Sequence, residues 1–189
     1  MNRSLRTLLG AVAALVFIGT LLTTPAHGQA VASTQFAASA SAMTPYWPAP
    51  GLYKIRNVKS GKCLNIPNGS TAEGASVTQF TCGDWNDHKW SLEPIEGDFY
   101  RIRNLNSGRC LAIPGGTHTP NTQAIQWGCG PWDDHKWRFE IYPSGNVQII
   151  NKHAGQCLAV RNGDIADGAP VIQFPCGSWL DHFWRLERL

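Results

Sequence analysis

The chain has 189 residues, of which 15% are charged and 10% aromatic, with a formal net charge of +3. Arg3 and Arg6 belong to an N-terminal leader, and the rest carries 14 basic residues against 13 acidic ones. No basic run interleaves with the aromatics, so neither nucleic acid nor a membrane surface is an expected partner.

Arg3 and Arg6 precede an apolar run, Leu8 to Leu22, and then small residues. This is the pattern of a secretory signal peptide over residues 1–30, with cleavage after Gly28 or Ala30. The run is short for a membrane span, which needs about 20 residues. The expected location is therefore extracellular, with no membrane insertion after cleavage. Residues 31–50 are rich in Ala, Ser, Thr and Pro and form a lead-in with little to bury. Tyr46, Trp47 and the neighbouring prolines are placed to pack on the domain edge. Residues 51–189 are of ordinary size for one domain.

That domain repeats itself three times. Cys63, Cys110 and Cys157 are 47 residues apart, as are Cys82, Cys129 and Cys176, and Trp90, Trp137 and Trp184. A period of this length marks a supersecondary unit that cannot bury its apolar face alone. In the first repeat, Ser60-Gly61, Asn68-Gly69, Gly74 and Gly83 punctuate four short runs rich in β-formers: Tyr53–Val58, Lys62–Ile66, Val77–Phe80 and His88–Ile95. Three copies predict an all-β domain of about twelve strands. A closed barrel with a hairpin cap would remove the exposed edges.

All six cysteines lie in the repeats, and an exported chain meets an oxidising compartment, so disulfides are expected. Three pairings respect the repetition: within each repeat, or first-to-second with a cyclic shift either way. The local option closes three short loops, each contributing roughly 3 kcal/mol in the loop-entropy model. The wide spacing, without a close CxxC pair, argues against zinc, and nothing calls for a cofactor.

Fourteen positions are identical in all three repeats. Identity across copies speaks first for shared structure. Leu64 and Trp90 with their counterparts are assigned to the core, Asn57 to turn capping, and Gly61, Gly69 and Gly83 to turns needing positive φ. The pairs Asp87-His88, Asp134-His135 and Asp181-His182 suggest a triad fragment or a metal site. On a strand, however, adjacent residues point to opposite faces, and no nucleophile recurs at a matched position.

The pattern Ser60-Gly61-Lys62-Cys63-Leu64-Asn65-Ile66, Val77-Thr78-Gln79-Phe80-Thr81-Cys82 and His88-Lys89-Trp90 resembles one repeat of the ricin B-chain type β-trefoil lectins. It recurs from Ser107 to Trp137 and from Gly155 to Trp184, covering residues 53–189. The resemblance implies a β-trefoil of three repeats of about 47 residues, with one disulfide inside each: Cys63–Cys82, Cys110–Cys129 and Cys157–Cys176. It also implies a non-catalytic, secreted glycan- or polysaccharide-binding protein. The family's Gln-x-Trp signature is His-x-Trp here, in all three copies. At that place His88 can supply a planar side chain that donates and accepts one hydrogen bond beside Trp90.

Carried over by position, the stacking aromatics are Phe80, Trp127 and Phe174. The hydroxyl acceptors are Asp87, Asp134 and Asp181, beside His88, His135 and His182. The family's first acidic position holds Asn65, then Ala112, then Ala159. Repeat one thus has the best polar site and repeat two the best platform. Two orientations of the third strand stay open. The resemblance turns Phe80 outward and Gln79 inward. Plain hydrophobicity turns Ile125, Trp127, Ile172 and Phe174 inward. In the second case Trp85, Trp132 and Trp179 are the substitute platforms, unless they merely clamp their loops. The rival reading is a protein-interaction trefoil, such as an inhibitor of a secreted hydrolase, with a secreted protein partner.

Overall fold

The computed structural model describes residues 47–189. The predicted signal peptide, and the lead-in up to Tyr46, lie outside the described residues. Twelve strands follow in order. Repeat one supplies β1 (Gly51–Asn57), β2 (Cys63–Asn65), β3 (Thr78–Phe80) and β4 (Lys89–Glu96). Repeat two supplies β5 (Phe99–Asn104), β6 (Cys110–Ala112), β7 (Ile125–Trp127) and β8 (Trp137–Ile141). Repeat three supplies β9 (Val147–Asn151), β10 (Cys157–Val160), β11 (Val171–Phe174) and β12 (Trp184–Arg188).

The first and last strands of each repeat close a ring of antiparallel pairs: β1–β4, β4–β5, β5–β8, β8–β9, β9–β12 and β12–β1. A closed barrel leaves no free edge. The middle strands form three hairpins, β2–β3, β6–β7 and β10–β11, that cap one end. The hairpins meet in a backbone ring: Val77 N–H donates to Ala124 O, Ala124 N–H to Val171 O, and Val171 N–H to Val77 O, at 2.9 to 3.1 Å. This is a β-trefoil. At the other end, the Tyr53 and Tyr100 hydroxyls donate to Ala49 O and Pro48 O. The end of the lead-in packs there, with Pro48 buried and Trp47 46% exposed.

Alternation on the barrel strands places Tyr53 and Ile55, Trp90 and Leu92, Ile102, Ile149 and Trp184 inside. Each central tryptophan is fully buried, and its indole N–H donates at 2.9 Å to the carbonyl of Leu64, Leu111 or Leu158 in its own repeat. The disulfides are Cys63–Cys82, Cys110–Cys129 and Cys157–Cys176, the local pairing.

The invariant Asn57 caps its turn as expected: its Oδ1 accepts from Lys59 N–H and Ser60 N–H. It also has a second role. Its Nδ2 donates to Asp181 O, as Asn104 does to Asp87 O and Asn151 to Asp134 O. One side chain thereby fixes its own hairpin turn and the segment carrying Asp-His in the preceding repeat.

Gln79, Gln126 and Gln173 are fully buried, which settles the orientation of the third strand: Phe80 and Trp127 are 39% and 40% exposed. Each glutamine amide donates to two carbonyls of the preceding repeat's loop, for Gln126 those of Ser70 and Ala72. Ser60 and Ser107 donate to Oε1 of Gln79 and Gln126. Repeat three has Ala154 at the serine position, and Gln173 Oε1 is a buried acceptor without a partner. Ala154→Ser is therefore expected to stabilise the domain by about 1 kcal/mol in urea unfolding.

Two expectations are corrected. Gly61 and Gly69 have positive φ (69° and 60°), but Gly83 does not. It is glycine because the Trp85 ring lies on its Cα, where a Cβ would sit 1.9 Å from the ring; Gly130 under Trp132 and Gly177 under Trp179 repeat this. And His88 does not begin a strand. It ends a one-turn 3-10 helix, Asn86–His88, with β4 starting at Lys89; Asp133–His135 and Leu180–His182 match it. Adjacent residues on such a turn are about 120° apart rather than opposed. Asp87 and His88 therefore face the same space.

Candidate functional site

Each repeat carries a cleft beside its capping hairpin, bounded by the loop after its second cysteine. The volumes are about 810 Å³ in repeat two, 450 Å³ in repeat one and 280 Å³ in repeat three. The three candidate groups converge there: Phe80, Asp87 and His88 in the first; Trp127, Asp134 and His135 in the second; Phe174, Asp181 and His182 in the third.

The histidine is the hub of each cleft. Its ring lies 5.1 to 5.2 Å from Trp85, Trp132 or Trp179. Phe80 and Phe174 meet His88 and His182 edge-on, at 6.2 and 6.0 Å. The neighbouring Trp90 indole donates to Leu64 O in the core rather than to the histidine. The histidine Nε2 instead stands 3.4 to 3.6 Å from the Oδ2 of the adjacent aspartate. Gly83 N–H donates to His88 Nδ1, whereas Nδ1 of His135 and His182 is buried without a partner. No hydrogen bond to the Asp87, Asp134 or Asp181 carboxylates is made among the described residues, so each presents open acceptors to its cleft.

The loop tryptophans are site residues that the sequence left undecided. Trp85, Trp132 and Trp179 clamp their glycines and also wall the clefts, with 55% to 60% of each side chain's residue surface exposed. Each cleft thus has two aromatic faces rather than one.

The hairpin floor differs between copies as a pair. Asn65 opposes Thr78, Ala112 opposes Ile125, and Ala159 opposes Ile172. Asn65 is buried, and its Oδ1 accepts from the Thr78 hydroxyl at 2.7 Å. Its remaining polar group is the amide Nδ2, a donor where the family has an acceptor. In the other two copies alanine and isoleucine replace the hydrogen-bonded pair together, giving apolar floors.

The rims come from other repeats. Asn106, His153 and Lys59 occupy one position, the hairpin turn after the first strand. Asn106 Nδ2 donates to Gly69 O at the first cleft, His153 lines the second, and Lys59 lines the third. Gly168 completes the first cleft and Asn121 the third, while Gly74 lies against Trp127 in the second. Each cleft therefore needs all three repeats. Beside the second cleft, Lys136 and Lys152 bridge Asp133 and Glu96, and both carboxyls are held below their ordinary range by the two ammonium groups.

Burial holds His88, His135 and His182 below the ordinary value of 6.5, against the pull of the adjacent aspartates. The fold thus favours three neutral imidazoles, whereas the unfolded chain takes up protons below about pH 6.5. Stability from this source is complete above that value and is lost as pH falls through the folded pKa values. Thermal unfolding is expected at a lower temperature at about pH 5 than at pH 7. Replacing all three histidines by glutamine should flatten that part of the profile; an unchanged profile would refute the assignment.

Among the described residues no group of three or more His, Cys, Asp and Glu is arranged to hold a metal ion. A family model described as ricin-type beta-trefoil lectin domain-like matches residues 42–127, 86–174 and 133–188. Three solved structures are similar. ThreeFoil, a designed 3-fold symmetric protein, is 29% identical, covers 74% of this chain and 99% of its own, and superposes with a TM-score of 0.73. An exo-beta-1,3-galactanase from Clostridium thermocellum is 26% identical over 76% of this chain and 31% of its own, with a TM-score of 0.72. A Macrolepiota procera ricin B-like lectin, solved in complex with lactose, is 21% identical over 75% of this chain and 98% of its own, with a TM-score of 0.65. No curated protein sequence matched the chain.

Proposed function

Because the chain belongs to the ricin-type β-trefoil lectin domain-like family, we propose that it is a non-catalytic, secreted carbohydrate-binding protein acting through its three clefts. One observation carries this reading: each cleft sets two aromatic faces, both exposed in the first two clefts, beside a carboxylate that accepts no hydrogen bond from the protein. A pyranose presents C–H groups on one face, which sit well on a π-face. Its hydroxyls then donate to the carboxylate, which fixes orientation, and an analogue lacking them leaves that acceptor unpaired.

The second cleft is the principal site. It combines the largest volume, the Trp127 and Trp132 faces, and an apolar floor of Ala112 and Ile125. The first cleft is the more polar one, where Asn65 Nδ2 offers a donor. Single shallow sites bind weakly, so retention on a polymer rests on several clefts engaging it together. Export through a leader at residues 1–30 belongs to the same proposal, and N-terminal sequencing of the secreted protein should begin at residue 29 or 31.

The test is affinity electrophoresis against plant, fungal and bacterial polysaccharides. Retardation on at least one, without hydrolysis of it, is expected. No retardation on any, with the disulfides intact, overturns the proposal. Recovery from culture medium of a single protein partner, undisturbed by free sugar, would favour the inhibitor-like alternative instead.

A further inference from the structure

Five of the six lysines among the described residues pair with a carboxylate: Lys54, Lys62, Lys89, Lys136 and Lys152. Lys59 is the exception, and it stands in the third cleft. Its ammonium lies over the Cα of Gly163, where a Cβ would approach it to 2.2 Å. The equivalent residues at the other two clefts are Asn106 and His153.

A second cation flanks the same cleft. Arg161 replaces Pro67 and Pro114 of the other repeats, and it donates to Asn121 O and Oδ1 rather than to an acid. Neither cation forms a salt bridge among the described residues, although Asp181 Oδ1 also approaches the Gly163 Cβ position, to 3.2 Å. Asp164 Oδ1 accepts from Ala166 N–H. Asp181 Oδ2 stands 3.6 Å from His182, and no salt bridge joins Asp181 to Lys59. Aspartate, histidine and tryptophan are common to all three clefts, so the two cations are what distinguishes the third.

Building on the carbohydrate reading, we infer that the third cleft takes an acidic glycan unit, with the ligand's anionic group on the Lys59 ammonium beside Arg161 and its ring against Trp179. The first two clefts take neutral units. The anion is a carboxylate, as in a uronic acid, or a sulfate ester. The preference weakens with salt, because the pair is exposed and screened over about 10 Å at 0.1 M. A single exposed pair is worth up to about fivefold in affinity.

The test follows the indole N–H resonances of Trp179, Trp127 and Trp132 by NMR. The protein is titrated with trigalacturonic acid, with its methyl ester, and with a sulfated trisaccharide. The acid is expected to shift Trp179 at about fivefold lower concentration than the ester. Lys59→Gln should abolish that difference while leaving the Trp127 response unchanged. The sulfated arm decides between the two anions. Equal responses of Trp179 to acid and ester, or a preference that survives both Lys59→Gln and Arg161→Gln, overturns the inference. Shifts at Trp127 with silence at Trp179 overturn it while sparing the carbohydrate reading. Silence at every indole overturns both.

Discussion

Trp137→Ala should cost the domain about 4 kcal/mol, read from urea unfolding at constant m-value. The ring is fully buried and sits on the barrel axis side of β8 with Trp90 and Trp184 at the matched positions. Truncation removes the largest kind of apolar surface a side chain can bury and leaves a cavity that the closed barrel can only partly collapse. It also strips Leu111 O of its indole donor at 2.9 Å, and a buried acceptor left alone adds its own penalty. Against a domain stability of about 5–15 kcal/mol, the loss is large. Trp137→Phe keeps most of the packing and loses the hydrogen bond, so it should fall between wild type and alanine. The repetition predicts similar costs at Trp90 and Trp184. A loss below about 1 kcal/mol would contradict the core assignment.

Trp127→Ala is expected to weaken glycan binding at the second cleft about 30-fold, or roughly 2 kcal/mol, as for a central aromatic anchor. The indole is 40% exposed, against full burial for Trp137, so its removal should cost the fold clearly less than Trp137→Ala does. The two effects separate: binding falls about 30-fold while the variant stays folded, with an unfolding midpoint above that of Trp137→Ala. Gly130→Ala gives an independent arm. A methyl there would sit 1.9 Å from the Trp132 ring, so the indole must leave its seat and the cleft loses its other face. Binding should drop in the same assay. Wild-type affinity in both variants would remove the second cleft from the account.

How much of this was legible follows the symmetry. The three-fold, twelve-strand barrel could be read because its unit of structure coincides with its unit of sequence, 47 residues, with cysteines and turns repeating in step; the trefoil and the disulfide within each repeat were what the resemblance implied. The direction of the third strand could not be read from hydrophobicity. Ile125 and Ile172 sit on the same face as Trp127 and Phe174, yet they pack as cleft floor against Ala112 and Ala159. The role of Gly83 was hidden because its constraint is a neighbouring ring rather than its own φ. The Asp-His geometry was misjudged because these residues lie on a 3-10 turn rather than a strand, a turn closed by His88 N–H on Trp85 O and tied to another repeat by Asn104 Nδ2 on Asp87 O. For the same reason the rims were invisible. Asn106, His153 and Lys59 look like ordinary turn residues until ring closure places each in the cleft of a different repeat.

The central claim is that the barrel is three-fold while binding is not, with the second cleft dominant. A glycan array run with wild type, Trp127→Ala and Asn65→Ala tests it most directly. Wild type should bind a defined set of glycans. Trp127→Ala should lose most of that signal, and Asn65→Ala should lose only a polar subset. An empty array for wild type, or equal signals from all three proteins, would contradict the account.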